Sequence, residues 1–431
     1  MKKTTALFLV AGLASVAIAQ DPTLDQSRAE LANMKADAAN RTSLLAAGAE
    51  AGHDGKGFYM ADGENFRLNV GGQIQFRYNM NFRDEDSAEG ANDEFTHGFQ
   101  TRRTKLEFWG NVINPNLHFK VVGAFNRGDS DTDVSDDTGA SVGSFSSGGG
   151  DFVLEDAWVA YDFNENLTMS WGQFKVPFNR EEMVSSKYQL AADRSTMNET
   201  FNADRTQGVA LEWHNDNFRI IGGFTDGYRA VNSDFDSSSE ADYALTGRIE
   251  YNTTGDWARY EDFTSWRSAE NIGLLFGGAI HWQDGGETGG TVDAELLGLT
   301  ADVSVEGKGW NLFGSIIWTD TDSAGAADGD DWGFNLQGGV FVTNKDELFA
   351  RWDMLFPNDD RAGDDEFTTI TFGWNHYFVE ESHAAKFTLD LLWYLEATTD
   401  TSIVSPSTGI NLLPSDDDDQ WGIRAQFQLL F

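Results

Sequence analysis

Basic side chains recur on the polar face of alternating stretches in this sequence and are its main candidates for chemistry. The alternation places eight of them on that face: Arg77, Arg103, Lys105, Lys120, Arg248, Arg351, Lys386 and Arg424. Guanidinium and ammonium groups on a low-dielectric wall create a positive field that concentrates small anions. The alternative is that they only neutralise carboxylates on the same face, such as Glu107 and Asp390, and keep it wet.

A second set of charges lies in one long connecting segment, FNREEMVSSKYQLAADRSTMNETFNADRT, from Phe178 to Thr206. This segment is poor in glycine, and its composition favours partly helical structure. Its charged candidates are Arg180, Glu181, Glu182, Lys187, Arg194 and Arg205. Long structured loops usually have a function, so we expect this one to contribute to the site.

The sequence offers little support for catalysis. Its seven histidines are scattered, and no His-Glu-x-x-His motif occurs. The chain has no cysteine, which excludes disulfides, thiolate nucleophiles and cysteine metal ligands. We therefore expect no enzymatic activity, no cofactor and no dedicated metal site, although acidic loops could hold divalent cations loosely.

The elements that would position these side chains show a two-residue period. FRLNVGGQIQFRYNMNF, from Phe66 to Phe82, places apolar side chains at even-numbered positions and mostly polar ones at odd-numbered positions. Successive side chains of a strand point to opposite faces, so this segment has one apolar and one polar face. The apolar face must meet either protein or lipid.

The same period recurs along the chain and predicts sixteen strands. They lie near residues 66–82, 99–112, 117–127, 152–163, 167–177, 207–214, 218–225, 242–252, 271–283, 293–306, 310–319, 332–342, 347–355, 367–378, 384–394 and 420–431. Short turns such as Asn164-Glu165-Asn166 alternate with long polar loops such as residues 128–151. This layout is typical of an outer-membrane barrel.

We therefore predict an all-β fold, a transmembrane antiparallel β-barrel of sixteen strands. Backbone groups in lipid must pair within the protein, so a sheet spans a membrane only by closing on itself. WNLFGSIIW places Trp310 and Trp318 at the two ends of an apolar face, with Leu312 and Ile316 between them, as lipid contact requires. A soluble secreted β-sandwich, propeller or β-helix is the alternative, but we find no repeats of fixed period.

The first fifty-seven residues precede the barrel. Lys2 and Lys3, the apolar stretch Ala6–Ile18 and the small residues Ala17 and Ala19 indicate a secretory signal peptide over residues 1–19. Residues 20–57 are alanine-rich, which predicts a short helical periplasmic segment followed by a linker. That helix is either a trimerising coiled coil or a tether, and the barrel domain comprises residues 58–431.

The chain is strongly acidic, with a formal net charge of −40 over 431 residues. Such a chain is not expected to bind nucleic acid. Its acidic residues concentrate in the long loops, which makes the outer mouth negative. Closing the barrel brings six basic residues to one side of the lumen: Arg77, Arg103, Lys105, Lys120, Lys386 and Arg424.

Several segments resemble the family of phosphate-selective porins O and P. They are RRTKLEFWG (residues 102–110), the hairpin from Glu155 to Tyr188 with its GQFKVPF strand end, ADRTQGVALEW (residues 203–213) and the terminal QFQLLF. The resemblance covers about residues 60–431 and implies a sixteen-stranded, usually trimeric outer-membrane channel for small anions. It also implies that the loop after the fifth strand folds inside and narrows the pore, where the alternative is a cap on the rim. The C-terminal Phe431 would be recognised by the barrel-assembly machinery.

These observations together predict an outer-membrane porin for passive diffusion of small hydrophilic solutes, with a preference for anions such as phosphate. Its expected partners are those solutes, outer-membrane lipid and two further copies in a homotrimer. Two alternatives remain open because the chain is so acidic. One is a general or cation-preferring porin, and the other is a barrel whose acidic loops serve adhesion or binding bridged by divalent cations.

Overall fold

The computed structural model describes residues 49–83, 94–127, 131–135, 141–146, 150–235, 240–285, 294–323, 329–361, 363 and 365–431. The predicted signal peptide and most of the predicted helical segment therefore lie outside the described residues. Several of the acidic loop stretches lie outside them as well. Among the residues that are described, no helix is both long and apolar enough to cross a membrane.

Sixteen antiparallel strands form a closed barrel, which confirms the predicted fold class. In chain order they are β1 (Phe66–Phe82), β2 (Phe95–Asn111), β3 (Leu117–Arg127), β4 (Gly150–Asn164), β5 (Leu167–Lys175), β6 (Arg205–His214), β7 (Phe218–Thr225), β8 (Ala241–Asn252), β9 (Gly273–Gly285), β10 (Ala294–Gly307), β11 (Trp310–Ser323), β12 (Gly329–Phe341), β13 (Asp346–Phe356), β14 (Phe367–Tyr377), β15 (Ala385–Tyr394) and β16 (Gln420–Leu430). Each strand pairs with its neighbours in the chain. The sheet closes where β16 pairs with β1, from Trp421 opposite Phe82 to Leu430 opposite Gln73.

The two faces of the sheet follow the alternation in the sequence. On β1 the outward side chains of Ile74 and Phe76 are exposed, whereas the inward side chains of Gln75 and Arg77 are buried. Trp393 and Trp421 stack at the outer end of the sheet, with ring centroids 4.8 Å apart. Aromatic side chains at such a rim suit the interface between lipid and water.

Two short strands precede the barrel, in a region where the sequence predicts a linker and the start of the domain. They are Ala49–His53 and Phe58–Asp62. The second pairs with the first residues of β1, from Phe58 opposite Val70 to Asp62 opposite Phe66. Each is five residues long and too short to show a clear period, so the pattern did not predict them.

One further hairpin and one long turn depart from the predicted layout. Asp131–Ser135 pairs with Ser141–Ser146 inside the long loop between β3 and β4. At the opposite end of the barrel, where the connections are short and are expected to face the periplasm, residues 253–272 form a long connection between β8 and β9. This connection contains a 3₁₀ turn at Ala258–Tyr260 and is called the inner turn below.

Residues 176–204 connect β5 to β6 and contain two short helices, as their composition predicts. The helices are α1 (Arg180–Met183) and α2 (Thr196–Phe201). The Asn179 side chain accepts a hydrogen bond from the backbone N–H of Glu181, and the Ser195 side chain accepts one from Asn198. Both residues therefore cap a helix start, and the whole segment is called the inner loop below.

The hydrophobic core lies inside the barrel, between the inner loop and the wall. One cluster joins Met197 and Phe201 of α2 to inward side chains of β11 to β15, including Ile317 and Leu355. A second cluster packs Leu190 and other loop residues against inward aromatic side chains of β11 and β13. Apolar side chains therefore pack inside this half of the lumen, beside the buried polar ones of the same strands.

Candidate functional site

The inner loop is fastened to the barrel wall through its own backbone. Arg351 on β13 donates hydrogen bonds to the carbonyl oxygens of Asp193 (2.9 Å) and Arg194 (3.2 Å). Lys386 on β15 donates to the carbonyl oxygen of Gln189 (2.8 Å). Because these donors are inward-facing residues of the strands, the inner loop lies within the barrel, along the wall from β13 to β15.

The carboxylate of Asp193 holds the inner loop against β1 and β2. Its oxygens lie 2.7 Å from Arg103, 2.9 Å from Arg102 and 3.0 Å from Arg77. Burial alone would raise the pKa of Asp193, but the three guanidinium groups hold it well below its usual range. Two of the cations predicted to bind solute, Arg77 and Arg103, are therefore engaged in fixing the loop.

Arg102 was not among the predicted site residues, since the alternation placed it on the opposite face. The register of β1 and β2 shifts at this point, where Gln75 is opposite Arg103 and Phe76 is opposite Thr101. Arg102 is thus the extra residue of a β-bulge, and a bulge re-aims the side chain that it carries. Nothing in the sequence pattern marks this position.

Arg424 on β16 is also buried in an ion pair. Its guanidinium group donates two hydrogen bonds to the carboxylate of Asp390 on β15, at 2.8 and 2.6 Å. The same carboxylate accepts a hydrogen bond from the backbone N–H of Ala192 in the inner loop (2.9 Å). Arg424 and Asp390 therefore hold the loop at Ala192, and both side chains are fully buried.

The acidic side chains of α1 bind groups within and around the loop. Glu181 accepts hydrogen bonds from the backbone N–H (2.8 Å) and the hydroxyl (2.6 Å) of Ser195. Glu182 lies 3.2 Å from Arg194 and 3.4 Å from Lys175. Burial would raise the pKa of Glu182, but Arg194 and Lys175 lower it to about 2. Both carboxylates thus stabilise the loop in its observed conformation.

The inner turn enters the lumen from the other end and meets the inner loop. Arg180 donates a hydrogen bond to the carbonyl oxygen of Tyr260 (2.8 Å). The backbone N–H of Phe263 donates to the carbonyl oxygen of Tyr188 (3.3 Å), and its ring packs 4.7 Å from that of Phe313 on β11. The inner loop and the inner turn are therefore in direct contact inside the lumen.

A cavity of about 780 Å³ lies between the inner loop and strands β1 to β5. Its charged lining consists of eight basic side chains, Lys56, Arg67, Lys105, Lys120, Lys175, Lys187, Arg194 and Arg205, and four acidic ones, Glu107, Glu155, Asp156 and Glu261. The lining thus has a formal excess of four positive charges, in a chain whose net charge is −40.

Most cations of the cavity have a carboxylate partner, but one is held loosely. Lys105 lies 2.6 Å from Glu155, and Arg205 lies 3.1 Å from Glu155 and 2.8 Å from Asp156. Lys120 lies 3.4 Å from Asp156 and keeps 32% of its side chain exposed, against 10% for Lys105. Lys120 is therefore more accessible to a solute than Lys105.

The structure thus divides the predicted site residues into two groups. Lys105, Lys120, Lys187, Arg194 and Arg205 line the cavity. Arg77, Arg103, Lys386, Arg424, Arg180, Glu181 and Glu182 instead make the contacts that hold the inner loop. Anion binding by the first group stays a prediction. Over the described part of the chain, no cluster of three or more His, Asp or Glu side chains could hold a metal ion.

Comparisons with known proteins address the family and the fold. The family model for phosphate-selective porin O and P matches residues 68–312. No curated protein matches the sequence. The barrel is similar to an anion-selective porin from Comamonas acidovorans, with 12% identity, a TM-score of 0.56 and coverage of 84% of this chain and 99% of that one.

Two other solved structures show the same fold. OmpF from Salmonella typhi, solved with daunomycin, has 12% identity and a TM-score of 0.54, and the match covers 86% of this chain and 100% of that one. The trimer form of OmpT from Vibrio cholerae has 13% identity and a TM-score of 0.50, with coverage of 84% and 99%. At such identities the likeness concerns the fold alone.

Proposed function

Because the chain belongs to the phosphate-selective porin O and P family, we propose that its barrel is a water-filled outer-membrane channel that prefers small anions such as phosphate. The family and the fold point to a channel rather than an enzyme. One observation carries the anion preference: the cavity beside β1 to β5 is lined by twice as many basic as acidic side chains. The Comamonas acidovorans structure, described as an anion-selective porin, supports the same preference.

The local excess of positive charge should outweigh the acidic mouth. Charges in water are screened over about 8 Å at physiological salt, whereas partly buried charges are screened much less. The acidic loops act from the mouth, while Lys105, Lys120 and Lys187 act at the cavity itself. Raising salt from low to moderate concentration screens the negative field of the acidic mouth. The anion preference should therefore grow over that range.

The inner loop and the inner turn set the width of the passage in this proposal. Both lie in the lumen, and the cavity lies between the inner loop and the wall. A solute would pass between the wall cations Lys105 and Lys120 and the loop cations Lys187 and Arg194. Arg205, at the start of β6, faces the same space.

The test is the zero-current potential of the purified protein in a planar bilayer under a potassium chloride gradient. The unaltered channel should prefer chloride at moderate salt. Replacing Lys105→Gln and Lys120→Gln together should move the potential toward cations without closing the pore. Lys308→Gln is the matched control, since this lysine is exposed in the turn between β10 and β11 and its loss should leave the potential unchanged.

Each alternative predicts a different result in that experiment. A general or cation-preferring porin would pass potassium at least as well as chloride, and the double replacement would not change its potential. A barrel that serves adhesion through its acidic loops would show no opening events. Either result would overturn the proposed anion preference.

The assembly follows from the family and the neighbours rather than from contacts in a single chain. We propose a homotrimer, as in the trimer form of OmpT, with residues 1–19 removed as a signal peptide and residues 20–57 in the periplasm. Phe431 is the proposed signal for the barrel-assembly machinery. Its backbone pairs with Gly72 of β1, and its side chain is partly exposed on the outward face.

A further inference from the structure

Three side chains from neighbouring strands form a row along the wall of the cavity, called the aromatic row here. They are Trp109 on β2, Lys120 on β3 and Trp158 on β4. The strand register places Trp109 opposite Lys120 and Lys120 opposite Trp158, and all three line the cavity. Neighbouring strands are about 4.8 Å apart, so the backbones that carry the two indoles are separated by about 10 Å with the lysine between them.

Glycines lie beside both indoles of the row. The ring edge of Trp109 lies against Gly57 and Gly71, where an added Cβ would be 2.8 and 3.0 Å from it. Gly172 on β5 is opposite Trp158 and has a positive φ of 121°. A Cβ there would be 2.2 Å from the carbonyl oxygen of Ala157, so no side chain can be placed beside Trp158 on that strand.

The cation in the middle of the row can be reached by solute. Lys120 keeps about a third of its side chain exposed, and its partner Asp156 is engaged more closely by Arg205, at 2.8 Å compared with 3.4 Å. A bare inorganic anion would use the ammonium group alone. An anion with a flat apolar body would also cover indole surface that otherwise faces water.

We propose that the aromatic row is a binding subsite for organic anions with a planar apolar body, of which benzoate is the simplest. The carboxylate would meet the ammonium group of Lys120, and the ring would pack between Trp109 and Trp158. This inference rests on the proposed anion channel, because it names a solute class for the same cavity. Occupancy of the subsite slows passage, so such a solute reduces the chloride current as its concentration rises.

The experiment compares benzoate with acetate as blockers of the chloride current through single channels. Both carry one carboxylate, and only benzoate has the flat ring. Benzoate should block at a concentration roughly 5- to 150-fold lower than acetate, since two aromatic contacts of ordinary strength give a ratio in that range. Trp109→Leu and Trp158→Leu should each raise the half-blocking benzoate concentration about two- to tenfold and leave that of acetate unchanged.

Three control variants separate the ring contact from charge and from folding. Trp213→Leu removes an outward-facing indole on β6 and should leave both concentrations unchanged. Trp158→Phe keeps a flat ring and should retain most of the benzoate preference, which guards against a folding defect in Trp158→Leu. Lys120→Gln should weaken block by both anions.

Two outcomes would overturn the subsite. The first is equal block by benzoate and acetate in a channel that still prefers chloride, which leaves the proposed function intact. The second is that the leucine variants raise the half-blocking concentrations of benzoate and acetate alike, which would mean that the indoles only shape the cavity. A channel that prefers potassium and is blocked by neither anion would refute the proposed function itself.

Discussion

The most informative perturbation is Asp193→Asn, because one carboxylate connects the inner loop to three arginines. Asparagine keeps the size and one carbonyl oxygen of the aspartate side chain but removes its charge. Arg77, Arg102 and Arg103, all within 3.0 Å of the carboxylate, would then repel one another with no anion between them. We expect the inner loop to leave the wall for part of the time.

The size of the effect follows from the burial of the pair. Removing one partner of a buried ion pair costs about 3–5 kcal/mol, and the lower figure applies because the amide still accepts a hydrogen bond. About 3 kcal/mol changes the ratio of bound to released loop by roughly 150-fold. A loop that is released for less than about 1% of the time would then be released for about half of it.

Single-channel recording in planar bilayers measures this release directly. The variant should switch between the native conductance and a larger one, and its anion preference should rise as the arginines become accessible. Asp162→Asn is the matched control. Asp162 pairs with His118 and Thr168 on neighbouring strands of the wall, and its loss should not cause switching. A single native conductance level in Asp193→Asn would refute the assignment of Asp193 as the fastening point of the loop.

Three further predictions concern the lipid face, pH and the N-terminal segment. Ile316→Arg places a charge on the outward face of β11, where an arginine near the midplane costs ~2–4 kcal/mol, so the heat-modifiable folded fraction on gels should fall, whereas His118→Arg in the cavity should fold normally. The pKa values of Asp193 (well below 3.8) and Glu182 (about 2) are lowered by their basic partners despite burial. Their contribution to loop binding is therefore complete above the ordinary pKa values of 3.8 and 4.5 and is lost only as pH falls through the lowered ones. These two carboxylates should therefore keep the loop bound from pH 7 to about 4.5, and a conductance step near pH 5 that disappears in Glu182→Gln would contradict this. Deleting residues 20–48 should lower the melting temperature of the trimer and leave conductance unchanged if the segment trimerises, and an unaltered melting temperature would identify it as a tether.

The barrel could be predicted from the sequence because its signal is local. The two-residue period needs only neighbouring residues, and the predicted span of β1, residues 66–82, matches the observed strand. The alternation also identified which side chains point inward on β1 and, between Arg103 and Asn111, on β2. The same rule gives Phe313 and Ile317 the inward parity but does not predict that they are buried, because it expects an inward face to meet water and takes no account of what will pack there.

The sequence could not predict which basic residues bind the inner loop and which line the cavity, because this depends on contacts between residues distant in sequence. Arg103 and Lys105 are two positions apart on the same face of β2. Arg103 binds Asp193 of the inner loop, while Lys105 binds Glu155 on β4 and lines the cavity. Side-chain parity specifies the face of a strand but not the height at which the loop crosses the lumen. Only the folded loop separates the two roles.

The pairing of β16 with β1 has a consequence for how the barrel is made. Gln75 donates a hydrogen bond to Gln428 across 353 residues of sequence (2.8 Å), so the first barrel strand finds this partner only after β16 has been synthesised. Neighbouring strands can pair as they appear, but the growing sheet keeps two open edges until the eleven residues of β16 are in place. Open edges pair readily with other chains, and closing so long a loop is slow. The yield of folded barrel should thus depend on how quickly this final strand is delivered.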